Sequence, residues 1–83
     1  MTQQEVLDRL QPIFRDVLDD DSLVITRASN AKNTPDWDSL SHINLVLAVE
    51  KEFGISMTTR DVRSLKNVGD LMRLIEKKAP QTV

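Results

Sequence analysis

The run Asp36-Trp37-Asp38-Ser39-Leu40-Ser41-His42-Ile43-Asn44-Leu45-Val46-Leu47-Ala48-Val49-Glu50-Lys51-Glu52-Phe53-Gly54 decides the fold. Asp36 or Asp38 is placed to cap a helix, because a short carboxylate side chain accepts the first free backbone N–H groups. Gly54 is placed to end it, since glycine readily takes the left-handed turn that follows many helices. The helix therefore spans about 39–53. At about 100° per residue, with Ser39 at zero, Leu45, Val49, His42, Phe53 and Val46 fall in one arc. Leu40, Ile43 and Leu47 fall in a second. A helix of a small bundle needs a single apolar stripe. The first arc holds the longer and more aromatic set and faces the core. The second is surplus, flanked by Asn44 and Lys51 on one side and by Glu50 and Ser39 on the other. Either the helix is central and buried on two sides, or this apolar patch with its polar rim marks a docking surface.

Outward from this helix the pattern stays helical. Thr2 with Glu5 has the form of a capping box, and Val6, Leu10, Ile13, Phe14, Val17 and Leu18 recur at helical spacing. This gives a first helix over about 3–18, which Pro12 is expected to kink or split by removing a backbone donor. Residues 19–36 read as a long connection, anchored by Leu23, Val24 and Ile25. Its aspartates fail as a calcium loop, because the glycine and the closing glutamate of such a loop are missing. Thr58 or Thr59 caps a short third helix over about 59–65. Asn67 with Asp70 starts a fourth over about 68–78, and Pro80 closes it. The expectation is an all-α fold: a small four-helix bundle in one domain over residues 1–83, three helices longer and one short, with a long loop after the first.

Composition narrows the chemistry. The chain has 83 residues, 40% hydrophobic and 29% charged, with no cysteine and one histidine. Disulfides, thiolate metal sites, cysteine nucleophiles and histidine metal clusters are thereby excluded. No apolar run reaches the ~18 residues of a membrane span, and the first residues lack the blocks of a signal peptide, so a cytoplasmic protein is expected. Charge is uneven: net −2 over residues 1–35, −3 over 36–53 and +3 over 54–83. The overall acidity disfavours nucleic acid, whose backbone needs clustered positive charge. Arg60, Arg63, Lys66, Arg73, Lys77 and Lys78 are the residues such a partner would use.

Ser39 offers a hydroxyl at the positive end of a helix, where backbone N–H groups favour a phosphate ester. In context the string is specific. Asp38-Ser39-Leu40, then Leu45, then Glu50-Lys51-Glu52-Phe53-Gly54-Ile55-Ser56-Met57 resembles an acyl carrier protein, and the likeness covers about residues 3–78. The resemblance implies that Ser39 is the attachment site of 4′-phosphopantetheine, donated from coenzyme A by a holo-synthase (phosphopantetheinyl transferase). It implies a non-catalytic carrier that holds acyl groups as thioesters and delivers them to acyl-loading and acyl-transfer enzymes. Asp38 would position the serine and face the partner. Leu40, Ile43, Asn44, Leu47 and Glu50 would form the partner-binding face, and Leu45, Val49, Met57, Val62 and Leu65 would line an acyl pocket. A monomer suits a carrier that presents one arm to several enzymes.

This sequence departs from the family pattern at several places. Ser41 and Asn44 stand where fatty-acid carriers often have acids, and Lys51 puts a base where an acid is common. Trp37 stands where many members have glycine; it is expected to plug the junction of loop and helix. These departures favour a specialised lipid or secondary-metabolite pathway over the housekeeping role. The alternatives are an aminoacyl or peptidyl carrier, and a non-covalent helical adaptor that uses the same apolar patch with Ser39 as a mere cap. A self-contained Ser–His–Asp hydrolase is disfavoured. Ser39 and His42 come from one local segment without a nucleophile elbow, and His42 is expected to be packed.

Overall fold

A computed structural model describes residues 2–78. Four helices follow one another: α1 (Gln3–Val17), α2 (Ser39–Phe53), α3 (Thr59–Ser64) and α4 (Val68–Lys78), and the described residues contain no strand. The all-α architecture with a long first connection is as the sequence implies. α1 packs on both α2 and α4. Val6, Leu10 and Phe14 of α1, Val49 of α2, and Val68 and Ile75 of α4 are fully buried, with Leu45 and Met72 almost so. At ~25 cal/mol per Å² of apolar surface removed from water, burial of such a side chain stabilises by roughly 1.5–3 kcal/mol. Residues spaced three and four apart therefore decide which face of each helix turns inward.

Of the two effects expected of Pro12, a kink or a split, the split does not occur: the helix runs through it. Pro12 and Asp8, whose carbonyl would have received the missing N–H, are both exposed. Water can serve that carbonyl, while buried Leu10 and Phe14 hold the helix on either side. α1 stops where the aspartates begin. Asp19 takes a left-handed φ of 52°, and the N–H groups of Asp19 and Asp20 donate back to Asp16 O and Arg15 O at 3.3 and 3.0 Å. That is the Schellman arrangement.

The long connection is stitched to the bundle by polar ties. Gln11 donates from Nε2 to Leu23 O at 2.8 Å and accepts from Ile25 N–H at 3.1 Å. Arg15 Nε also donates to Leu23 O, at 2.7 Å. Only part of the expected anchor holds. Ile25 is buried and Leu23 packs at the core edge, but Val24 is 69% exposed. In this extended stretch neighbouring side chains point in opposite directions, so Val24 cannot share the inward side with both. Farther along, Val68 N–H donates to Ser29 O and Gly69 N–H to Arg27 O, both at 2.9 Å. A Cβ on Gly69 would stand 3.2 Å from Arg27 O. Glycine thus lets the start of α4 approach the loop.

The other caps follow the sequence. Thr58 and Asp61 close a capping box at α3, Asn67 Oδ1 accepts from Asp70 N–H at 2.8 Å, and Gly54 ends α2 with φ 64°. Pro80 lies outside the described residues. No helix among the described residues is long and apolar enough to cross a membrane.

Candidate functional site

Ser39 is the first residue of α2, and Asp38 is the N-cap. Asp38 Oδ1 accepts from Leu40 N–H at 3.1 Å and from Ser41 N–H at 3.0 Å. Ser41 Oγ accepts from Asp38 N–H at 2.8 Å and donates to Asp36 O, also at 2.8 Å. Asp36 sits at φ 67°. The bonds from the Ser41 backbone and hydroxyl hold the Asp38 carboxyl below its ordinary range, aided by that from Leu40. Asp38 and Ser41 thus close the cap between them. The exposed Ser39 hydroxyl is left out of it, at the end of the helix where N–H groups converge. Ser41, which the family pattern flags only as a missing acid, is the second half of this cap. Its place three residues after an N-cap aspartate is the signal that points to it.

Beneath Ser39 lies Trp37, buried to 7% exposure. Its ring meets Phe14 edge-on at 5.2 Å, and it plugs the junction as expected. Trp37 Nε1–H donates to His42 Nδ1 at 3.1 Å, and His42 Nε2 stands 3.1 Å from Val62 O. The tautomer with hydrogen on Nε2 satisfies both contacts. The two rings are nearly parallel, with their planes 16° apart and their centroids 6.2 Å apart, as an in-plane hydrogen bond between them requires. His42 therefore ties the loop junction and α2 to α3, and both of its nitrogens are engaged away from Ser39.

An open cleft of about 470 Å³ adjoins this junction. It is lined by Ser39 and Asp38, by Trp37, Val62 and Leu65 as apolar wall, and by Arg63 and Lys66. The five residues expected to line an acyl pocket take different places here. Val62 and Leu65 line the cleft. Leu45 and Leu65 border a closed apolar gap of about 10 Å³ between α1, α2 and α4. Val49 is sealed in the core, and Met57 packs at its margin. Spacing alone puts these residues on inward faces, and here packing fills the volume between them.

The surplus arc of α2 does face outward. Leu40, Ile43 and Leu47 are 72%, 53% and 58% exposed, with exposed Asn44 beside them. Glu50 sits differently. It is half-buried, and its Oε2 accepts from Met57 N–H at 2.8 Å, so this carboxylate holds the chain that leaves α2. Arg63 and Lys66, which the sequence groups with four other bases, stand at the cleft because α3 folds back beside the start of α2.

Comparison with known proteins places this geometry. Residues 8–75 match the family described as phosphopantetheine attachment site. An acyl carrier protein of Thermosynechococcus vestitus is 34% identical over 79 residues, covering 94% of this chain and 96% of the relative. One from Picosynechococcus is 33% identical over 75 residues, covering 90% and 93%. The solution structure of a holo acyl carrier protein from Geobacter metallireducens superposes with a TM-score of 0.80 at 50% identity, covering 87% of this chain and 83% of that one. An Asp-Ser-Leu helix start, an outward apolar arc and a short third helix thus occur in a chain alike over nearly its whole length: the protein belongs to the acyl carrier proteins, non-catalytic carriers of a covalently attached phosphopantetheine.

Proposed function

We propose that Ser39 is the residue that carries the phosphopantetheine arm, and that this chain serves a specialised acyl pathway. One observation supports the first half above others: the Ser39 hydroxyl is exposed at the head of α2 and spared by the cap, which Ser41 completes in its place. The surroundings suit a phosphate ester. The helix N-terminus favours an anion, two cationic side chains line the adjoining cleft, and its apolar wall offers a resting surface for an uncharged chain.

Ser39 presents Oγ to coenzyme A held by a holo-synthase: the new Oγ–P bond forms as the pyrophosphate P–O bond of coenzyme A breaks, adenosine 3′,5′-bisphosphate leaves, and the serine proton passes to a base of the synthase. Asp38 fixes the backbone at that point, so the hydroxyl is offered from a rigid helix start. Trp37 and His42 keep the loop from folding over it. When bound, the arm supplies a thiol on which acyl groups ride as thioesters. The chain has no cysteine of its own, so that thiol is its single loading point. Leu40, Ile43 and Leu47, with Asn44 beside them, are the face offered to acyl-loading and acyl-transfer enzymes.

The second half rests on charge. Ser41 is spent in the cap, Asn44 is neutral, Glu50 is tied to Met57, and Lys51 is basic. The α2 face is therefore apolar and poor in acids, and steering toward strongly basic partners is weak. Incubation with a holo-synthase, magnesium and coenzyme A is expected to add one phosphopantetheinyl unit by intact mass, and Ser39→Ala to add none. A wild-type chain left unmodified by several competent synthases contradicts the assignment.

A further inference from the structure

The chain has one histidine, and the fold sets it where three segments meet. His42 is half-buried on α2. Its Nδ1 accepts from Trp37 Nε1–H at 3.1 Å, and its Nε2 stands 3.1 Å from Val62 O in α3. The indole N–H can only donate and the carbonyl can only accept. The imidazole that suits both is the neutral one with its hydrogen on Nε2. An imidazolium carries hydrogen on both nitrogens. Its Nε2–H still serves Val62 O, but its Nδ1–H points at the indole N–H, and two donors then meet with no acceptor between them. On the cleft side, His42 is bordered by the charged residues Asp38, Arg63 and Lys66. The Asp38 carboxylate is already engaged in the cap. On the other side, the described residues that share the closed gap with His42, among them Phe14 of α1 and Leu71 of α4, are all uncharged. Trp37 stands two residues before Ser39, and its backbone N–H donates to Thr34 O at 3.3 Å.

We propose that His42 is a proton-sensitive positioning residue: neutral, it fixes Trp37 and with it the segment that leads into Ser39; protonated, it releases the indole while keeping its hold on α3. Histidine is the side chain that ordinarily changes charge between about pH 5 and 8. The firmness with which the serine is offered therefore varies with pH in that range. Trp37 stays against Phe14 when released, because their edge-on contact does not involve the indole N–H of the tie to His42.

The test uses the unmodified chain and nitrogen-15 NMR between about pH 8 and pH 5. The lowered carboxyls of Asp38, Asp61 and Asp70 stay ionised across that window. At its upper end the His42 ring should give a pyridine-type Nδ1 signal and a pyrrole-type Nε2 signal. As the ring gains its proton, the Trp37 indole N–H should move upfield along the same curve. Exchange of the Trp37 and Asp38 amides should quicken about fivefold beyond the intrinsic trend, which is the loss of one net hydrogen bond; the 62–64 amides should respond less. His42→Gln, whose amide offers one acceptor and one donor and does not titrate, should keep the indole near its neutral position at every pH. His42→Leu should hold it near the acid position at every pH. Wild-type positions of the α1 and α4 amides verify the fold of both variants. An indole signal that stays put while the ring titrates, a ring that remains neutral down to pH 5, a pyrrole-type Nδ1, or the wild-type curve in His42→Gln overturns the proposal. No arm is present in this experiment, so each of these results leaves attachment at Ser39 standing.

Discussion

α2 and α3 face each other across the cleft and are held in opposite ways. α2 has fifteen residues and buries Leu45, Val46, Val49 and Phe53. α3 has six residues and buries none. A helix this short is not stable by itself. α3 is kept in place by polar ties: the Thr58–Asp61 box, the contact of His42 with Val62 O, and the Asp61–Lys78 pair. One wall of the cleft is thus part of the core, and the other is hung from it. Segments with few buried apolar contacts open at lower free energy than the whole molecule. Ser39 therefore stands on a platform that is part of the core, beside a wall held mainly by polar ties.

Core truncation separates the two walls most strongly. Leu45→Ala should cost ~2–5 kcal/mol of global stability in a denaturant titration, as for other sealed leucines. Val62→Ala, on the hung wall, should cost less than ~1 kcal/mol. Equal losses would show that α3 is as deeply seated as α2. A smaller effect is expected from His42→Leu, which leaves Trp37 Nε1–H and Val62 O without their partner. Net hydrogen bonds are worth ~0.5–1.5 kcal/mol each, so amide exchange across 59–64 should quicken about tenfold, with the α2 core amides slower to respond. Uniform quickening of both helices would remove the distinction.

Some of this was legible in the sequence and some was not. The caps at Asp38, Thr58 and Asn67, the Gly54 stop and the two arcs of α2 are local patterns. Spacing of a few residues specifies them, and the structure has them where the spacing puts them. The Trp37–His42–Val62 tie joins residues from a loop and two helices, and no periodicity announces it. Glu50 looked like a surface acid because its partner is a backbone N–H seven residues on. Pro12 looked disruptive because the pattern does not show that Asp8 faces water. The residues expected to line an acyl pocket show a related limit. Inward-facing positions are visible in a sequence, whereas the space left between them is set by packing.

Acid should act on both walls, and more visibly on α3. Asp38, Asp61 and Asp70 all have pKa values held below the ordinary aspartate value of about 3.9. The chief causes are, in turn, the bonds from Ser41, the Thr58 N–H with Lys78, and Arg73 with the Lys66 N–H. Depressed values favour the fold where the groups are ionised. Their contribution is complete above about pH 4 and is lost as pH falls through the lowered values. Exchange at 59–64 should therefore quicken below pH 4 beyond the intrinsic chemical trend, and Asp61→Asn should already be loosened at neutral pH. A profile flat in acid would remove Asp61 from the ties of α3. The smallest effect is expected far from the cleft. Glu52 and Arg9 pair at 3.5 Å with both side chains over 40% exposed, and Glu52→Gln should change stability by under ~0.5 kcal/mol. A loss above 1 kcal/mol would make that pair more than a surface contact.

Two serines stand two residues apart at the head of α2, and the account gives them separate work. Ser41 is locked into the cap and Ser39 is offered to solvent. The most direct measurement is fragmentation mass spectrometry of the holo-synthase-treated protein, resolving Ser39 from Ser41. The arm should be found on Ser39 in every modified molecule, with Ser41 bare. An arm on Ser41, or on any other side chain, contradicts the account.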